Sequence, residues 1–225
     1  MSSTIETEKR LAAEAAAELV SDGMVVGLGT GSTVAHLLPA LAARALDIRC
    51  VATSDATEAQ ARELGISVER FDQLDRLDIA IDGADQIDPA GWLVKGGGGA
   101  HTREKIVAVA AEHFVVIADS SKTVEAITAP IPVELLRFGL EATLRALGSV
   151  AIRSGAPPSP DGGVIADHSG EVRDPLLLAA RLSATPGVVD HGLFAPGLVG
   201  EVLIGRDGAV ERLEIGSDVR VNESG

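Results

Sequence analysis

The sequence predicts an α/β protein in which a Rossmann-like domain, built on a parallel sheet, carries a smaller ferredoxin-like α+β domain. Three observations carry this reading. Through residue 119, short apolar, β-branched runs alternate with amphipathic helical stretches, the pattern of parallel strands joined by right-handed crossovers. Eight of the ten prolines then fall between Pro130 and Pro196, so the texture of the chain changes there. The stretch they mark reads β-α-β-β-α-β, a ferredoxin-like order. At 225 residues and 46% hydrophobic composition, the chain has ample material for one major core and a smaller companion.

In order, residues 5–20 place Leu11, Ala12, Ala15, Ala16 and Leu19 on one helical face, with Glu14 and Glu18 opposite. Asp22-Gly23 ends that helix. A strand follows at 24–29, a turn at GTGST, a helix at 33–46, a strand at 48–53, a helix at 55–64 and a brief extended piece at 66–68. Strand 77–81, helix 102–112 and strand 114–119 complete the first series. The second series has strands at 132–136, 150–154, 164–167 and 187–194, helices at 139–147 and 174–183, and the turn PPSPDGG. EVLIG and AVERLEI then return as strands that can rejoin the first sheet. The expected division is a catalytic domain of residues 1–129 and 201–225 and a small domain of 130–200, assigned to oligomerisation.

Composition narrows the partners. Aromatic residues make up 2% of the chain, with no Tyr and one Trp, so stacking platforms for single-stranded nucleic acid are nearly absent. A net charge of −14 also repels phosphate backbones, and no nucleic-acid partner is expected. The N-terminus is charged throughout and has no long apolar segment, which predicts neither signal peptide nor membrane span and a cytoplasmic protein. Cys50 is a lone cysteine in an apolar run and is expected in the core of a protein from a reducing compartment.

The chemistry concentrates in residues 82–105, DGADQIDPAGWLVKGGGGAHTREK. Asp82 and Asp85 follow an apolar strand, and carboxylates at the carboxyl end of a parallel strand face the crevice where open α/β sheets bind ligands. Taken singly, each also reads as a turn residue, since Asp-Gly is a common turn dipeptide. Lys95 precedes Gly96, Gly97 and Gly98, which leave backbone N–H groups bare for an anion or a developing oxyanion. Glu104 opens a helix, where an acid is also favoured simply by the dipole. Two acids, a cation, a donor-rich loop and a third acid in one region are what proton transfer on an oxygenated substrate requires.

GLGTGST at 27–33 also lies between a strand and a helix. A dinucleotide fingerprint needs a glycine where Ser32 stands, and a phosphate-binding Walker loop needs a Lys that does not follow. A helix N-terminus remains, whose N–H groups and Thr30, Ser32 and Thr33 hydroxyls can hold one phosphate around Gly31; a tight turn with a capping Ser is the plainer reading. Lys122, in ADSSK at the next strand end, lies on the same sheet edge and is suited to phosphate or to a turn. Lys9, flanked by Glu6, Glu8 and Arg10, reads as a solvated charge. His36, His101, His113, His168 and His191 show no ligand spacing, so no metal is expected.

GLGTGST, DGAD, KGGGGA with REK, ADSSK, PVE and PGVVDHGLF, in that order, resemble ribose-5-phosphate isomerase of the A type over nearly the whole chain. The resemblance implies an aldose-ketose isomerase of the non-oxidative pentose phosphate pathway, free of cofactor, acting on a small sugar phosphate as a homodimer or homotetramer. It implies Glu104 as proton acceptor, with Asp82, Asp85 and Lys95 catalytic. Thr30, Gly31, Ser32, Thr33, Gly83, Ala84, Gly96, Gly97, Gly98 and Lys122 are then the substrate-binding residues. The sequence departs from the family pattern at His101, where Leu is common, at LLRFG (135–139) and at SPDGG. Two rivals stay open at this point. One is a sugar-phosphate-sensing module, which has no need of Glu104; the other is an NAD-dependent dehydrogenase using Asp55 as its ribose-binding acid.

Overall fold

A computed structural model describes residues 2–215. Residues 216–225, which the sequence reading assigns to the first domain, lie outside the described residues. The first series runs α1 (Ser2–Ala17), β1 (Val25–Leu28), α2 (Val34–Ala43), β2 (Arg49–Ala52), α3 (Asp55–Glu63), β3 (Leu77–Gly83), β4 (Gln86–Ile87), β5 (Leu93–Val94), α4 (His101–Ala110) and β6 (Ala111–Asp119). It continues with β7 (Ile131–Leu135), α5 (Leu140–Leu147), β8 (Val150–Ile152), β9 (Val164–His168), α6 (Pro175–Ser183), β10 (Val188–His191), β11 (Leu193–Phe194), β12 (Glu201–Arg206) and β13 (Ala209–Glu214).

The central sheet has the order β13-β12-β6-β3-β1-β2. It is parallel except for β13, which pairs antiparallel with β12. The chain steps from β1 outward to β2, then crosses back to β3 and proceeds the other way. The β1/β3 junction is therefore a topological switch point, where loops diverge and leave a crevice at the carboxyl edge. Both faces are covered, which is why the strands read as nearly unbroken apolar runs. Val115, Ile117 and Leu203 pack with α1 and α2 on one face, while Phe114, Val116, Ala118, Val202 and Ile204 pack with Val107 and Ala108 of α4 on the other. This is the period-two alternation of a strand.

The second sheet is antiparallel, order β10-β7-β9-β8, with α5 and α6 contributing Leu147, Leu178 and Leu182 to its own core. Strand order and β-α-β-β-α-β succession agree with the ferredoxin-like expectation. Asp174 starts α6 by accepting from the N–H groups of Leu176 and Leu177, and Ser54 starts α3 by accepting from Thr57 N–H. Each such cap contributes about 1 kcal/mol.

Four local expectations need correction. The first helix begins and ends three residues earlier than 5–20, and its buried stripe is Glu8, Ala12, Ala13, Ala16, Ala17 with Val20 beyond it; Leu11, Ala15 and Leu19 flank that stripe. The third strand extends past residue 81 because Asp82 and Gly83 still pair with Val116 and Ile117 of the longer β6. Residues 187–194 are two strands, since Gly192 turns the chain: its N–H bonds Pro132 O at 2.7 Å and its carbonyl accepts from Lys95 N–H at 2.9 Å. Finally, β11, β5 and β4 form a small third sheet absent from the sequence reading. Its two-residue strands are too short to show a periodicity.

Candidate active site

The cleft opens at the switch point and encloses about 140 Å³. That is well below the roughly 300–1,000 Å³ of sites for drug-sized ligands, so it suits a small substrate rather than a dinucleotide. Thirteen residues line it: Thr30 to Thr33, Gly83 to Asp85, Lys95 to Gly98, Glu104 and Lys122. All thirteen belong to the set expected from the sequence. Asp82, the remaining member, lies buried beneath them.

Asp82 is fixed by its backbone surroundings. Its Oδ1 accepts from the N–H groups of Thr30 at 3.0 Å and Gly83 at 2.7 Å. Gly29 makes this approach possible, because a Cβ there would stand 2.0 Å from Asp82 Cγ. Lys95 enters from the other side at the end of β5. Its Nζ donates to Gly83 O at 2.6 Å and lies 2.8 Å from Asp82 Oδ2 and 3.1 Å from Glu104 Oε2. The two carboxylate contacts have ion-pair distances but not hydrogen-bond alignment. Phe194 closes the floor with its ring centroid 5.5 Å from Lys95 Nζ.

Asp82, Lys95 and Glu104 are 3%, 3% and 4% exposed, so almost no water screens them. Burial pushes the Glu104 carboxyl up to about 7; Lys95 opposes this and Asp82 adds to it. Burial also raises Asp82, against Lys95 and the two N–H donors. For Lys95, burial disfavours the ammonium, but the two carboxylates outweigh it and hold its pKa above the ordinary value. Two acids sharing one cation carry one excess negative charge. A proton bound near neutrality relieves it, which is the property a general base needs at physiological pH.

The glycine loop rests on His101. Gly96 has φ +102°, and a Cβ there would meet His101 Nδ1 at 2.6 Å. Burial pulls the His101 pKa down to about 4, against an opposing pull from Asp190. A neutral imidazole thus fills, as an uncharged ring, the position where the resemblance leads one to expect Leu. Asp85 stands apart from the triad: it is exposed at the rim and its Oδ2 accepts from Gly97 N–H at 2.8 Å.

The phosphate-loop residues divide. Thr30 Oγ1 is engaged with Thr53 Oγ1 at 2.8 Å and Ser54 Oγ at 2.9 Å, away from the role of a free phosphate donor. Ser32 is exposed, and Thr33 precedes α2 without a side-chain capping bond. Lys122 is half-buried in the turn after β6. Lys9 differs from the solvated charge expected of it: its side chain is 13% exposed and pairs with Glu6 at 2.7 Å. Asp55 is 95% exposed and 3.9 Å from Arg103, at the head of α3. Cys50 is fully buried, and burial pushes its thiol up to about 12.

Sequence reasoning missed Gly29 and Phe194. Gly29 was visible only as one more glycine of a turn. Phe194 lies 95 residues beyond the end of the loop it underlies, and only its place in PGVVDHGLF marked it. Among the described residues no three His, Cys, Asp or Glu side chains converge as metal ligands, and no helix is long and apolar enough to cross a membrane.

An open α/β sheet whose switch-point crevice holds a buried acid-cation-acid cluster beneath a glycine loop defines an acid-base enzyme for a small anionic substrate. The family model of ribose 5-phosphate isomerase A (phosphoriboisomerase A) matches residues 49–208. Ribose-5-phosphate isomerase A of Caulobacter vibrioides is 49% identical over 224 residues, covering 93% of this chain and 98% of that protein. The structure of ribose 5-phosphate isomerase A from Methanocaldococcus jannaschii superposes with a TM-score of 0.86 at 36% identity, over 92% of this chain and 97% of that one. A D-ribose-5-phosphate isomerase in complex with phospho-erythronic acid superposes with a TM-score of 0.88 at 33% identity, over 93% and 99%. The chain belongs to the ribose 5-phosphate isomerase A family.

Proposed function

We propose that the protein interconverts D-ribose 5-phosphate and D-ribulose 5-phosphate through an enediol, without a cofactor. The observation that carries this is Lys95 between Asp82 and Glu104 under a glycine loop, with all three side chains buried. The phospho-erythronic acid bound by a related isomerase adds support: it is a phosphorylated sugar acid whose planar carboxylate matches an enediolate in shape and charge.

Asp82 handles the hydroxyl proton while the sugar ring opens. Glu104 then takes the C2 proton, the aldehyde oxygen becomes an enediolate, and Asp85 shuttles the proton between the two oxygens as the carbonyl moves to C2. Glu104 returns its proton to C1. Acid-base assistance of this kind contributes about 10² to 10⁴ in rate, too little by itself. Electrostatic stabilisation of the enediolate must supplement it, where one preorganised donor is worth roughly 3 kcal/mol.

Lys95 has three N–H donors, and Gly83 O, Asp82 and Glu104 surround them. When Glu104 accepts the substrate proton it becomes neutral. The ammonium is then freed from one partner at the moment the enediolate charge appears, and the Gly96 to Gly98 N–H groups add to it. Phosphate held by Gly31 to Thr33 and Lys122, with Thr30 bracing the loop through Thr53, Ser54 and Asp82, anchors the far end, so that binding energy remote from C2 places that carbon against Glu104.

We further propose that residues 130–200 serve assembly of a homodimer or homotetramer, residues 1–129 and 201–225 forming the catalytic unit, and that the protein is cytoplasmic. Apolar side chains left exposed in the small domain, Phe138 and Leu177 among them, support the assembly role.

The test is direct. Protein stripped with chelator and free of nucleotide is mixed with ribose 5-phosphate and the ketose is assayed. Conversion is expected, with deuterium entering the transferred position in deuterated water because a carboxylate can exchange its proton with solvent. Absence of conversion combined with tight NAD binding would overturn the isomerase in favour of the dehydrogenase.

A further inference from the structure

Arg153 follows β8 in the small sheet, yet its side chain ends on the glycine loop. Its Nε and Nη2 bond Asp167 at 2.8 and 2.6 Å, and its Nη1 donates to Gly96 O at 3.1 Å and Gly97 O at 2.9 Å. Asp167 neutralises the guanidinium, so the effect on the loop is chiefly geometric. A trans peptide is planar, and fixing a carbonyl in one direction aims the following N–H in the opposite one. Holding the carbonyls of Gly96 and Gly97 on a single guanidinium therefore turns the N–H groups of Gly97 and Gly98 away from Arg153. Gly97 N–H meets Asp85 Oδ2 at 2.8 Å, and both Gly97 and Gly98 line the cleft. Arg153 itself does not line it.

We infer that Arg153, braced by Asp167, is a positioning residue of the small domain. It sets the peptide planes of the glycine loop so that the Gly97 N–H holds Asp85 at the rim and the Gly98 N–H faces the oxygen that becomes the enediolate. The four hydrogen bonds use the planar fork of arginine, which a lysine ammonium cannot reproduce across a carboxylate and two carbonyls at once. This inference rests on the isomerase reading for its catalytic consequence but not for the loop geometry, and the two are measured separately.

The experiment uses the full chain labelled with ¹⁵N-glycine, its Arg153→Lys and Asp167→Asn variants, and steady-state kinetics on ribose 5-phosphate. Without substrate, the amide signals of Gly97 and Gly98 are expected to move in both variants while that of Gly27, inside β1, stays in place. In Arg153→Lys, kcat is expected to fall about tenfold, since misaiming a donor costs less than the roughly 10² to 10³ of deleting one. KM should change by less than about threefold, because the phosphate anchor is untouched. In Arg153→Ala, added guanidinium should restore part of the lost kcat, which a general packing defect does not allow. If Arg153→Lys does not fold, Asp167→Asn carries the same readouts with the guanidinium still present. Unmoved Gly97 and Gly98 signals, or moved signals with kcat within about twofold of the parent, overturn the inference. A parent inactive on ribose 5-phosphate sinks the isomerase reading and the catalytic role together, while the amide signals still decide the loop geometry.

Discussion

Glu104 shows how much at the residue scale depends on surroundings that a sequence does not display. As an acid in a first helical turn it is unremarkable; enclosed with Asp82 and Lys95, its carboxyl is held up to about 7. Because the base form does the work, kcat/KM is expected to fall as pH drops below about 7. The substrate phosphate loses its second proton near pH 6, so a control is needed. Asp82→Asn removes a neighbouring negative charge and should shift the Glu104 limb to lower pH, which substrate titration cannot do. A limb that stays put in this variant argues against the assignment. The stability consequence has the opposite sense: the folded state keeps this proton to higher pH than the unfolded chain, so this group's contribution declines from about pH 4.5 to 7 and is flat above. Glu104→Gln is thus expected to lower kcat by at least about 10² while melting at pH 8 no earlier than the parent. Near-normal turnover in that variant would pass the role of base to Asp82 or Asp85. Gly29→Ala tests the backbone side of the site. Its Cβ would collide with Asp82, and overpacking of this kind costs about 1 to 3 kcal/mol, readable in urea unfolding, together with at least a tenfold loss of kcat. Residue types and their order announced the acids, the lysine and the glycines. Gly29 and Phe194 stayed hidden because a close approach and a ring stacked from a distant strand are products of tertiary packing.

At the scale of elements, the strands of the central sheet and their connecting helices were legible because burial on both faces writes a long apolar run for each strand. Boundaries were less so. Pairing, rather than propensity, decides where β3 stops, and β6 carries it through Asp82 into the cleft. The β4, β5 and β11 sheet was illegible for the same reason, although it brings Lys95 and Phe194 together. The turn after β6 and the loop after β1, on strands that flank β3, form the phosphate grip proposed above. Lys122→Ala and Thr33→Ala should therefore mainly raise KM, since an anchor contacts the phosphate in ground and transition states alike. Unchanged KM in both variants, measured by saturation kinetics, removes phosphate binding from that edge.

At the scale of the whole molecule, the small domain has two calls on it. Through Gly192 and Phe194 its last strand region feeds the floor of the active site, and Lys105 of α4 reaches across to Asp190 at 2.6 Å, tying it to the helix that carries Glu104. Its outer surface is a different matter. Six of the ten large apolar side chains exposed among the described residues fall between 136 and 189: Leu136, Phe138, Ile152, Leu176, Leu177 and Val189. Phe138 is 93% exposed and Leu177 67%, values that hydrophobic burial of about 25 cal/mol per Å² would reward covering. A second copy of the chain is the occupant expected, since a symmetric contact uses the same patch twice and roughly doubles the apolar area buried per surface evolved. Sedimentation equilibrium at micromolar concentration is expected to give a multiple of 23.0 kDa. Phe138→Asp combined with Leu177→Asp should shift it towards the monomer by placing charge in the contact. A parent that sediments as a monomer, or a double variant that associates as tightly as the parent, would move the interface elsewhere and leave these side chains without a partner.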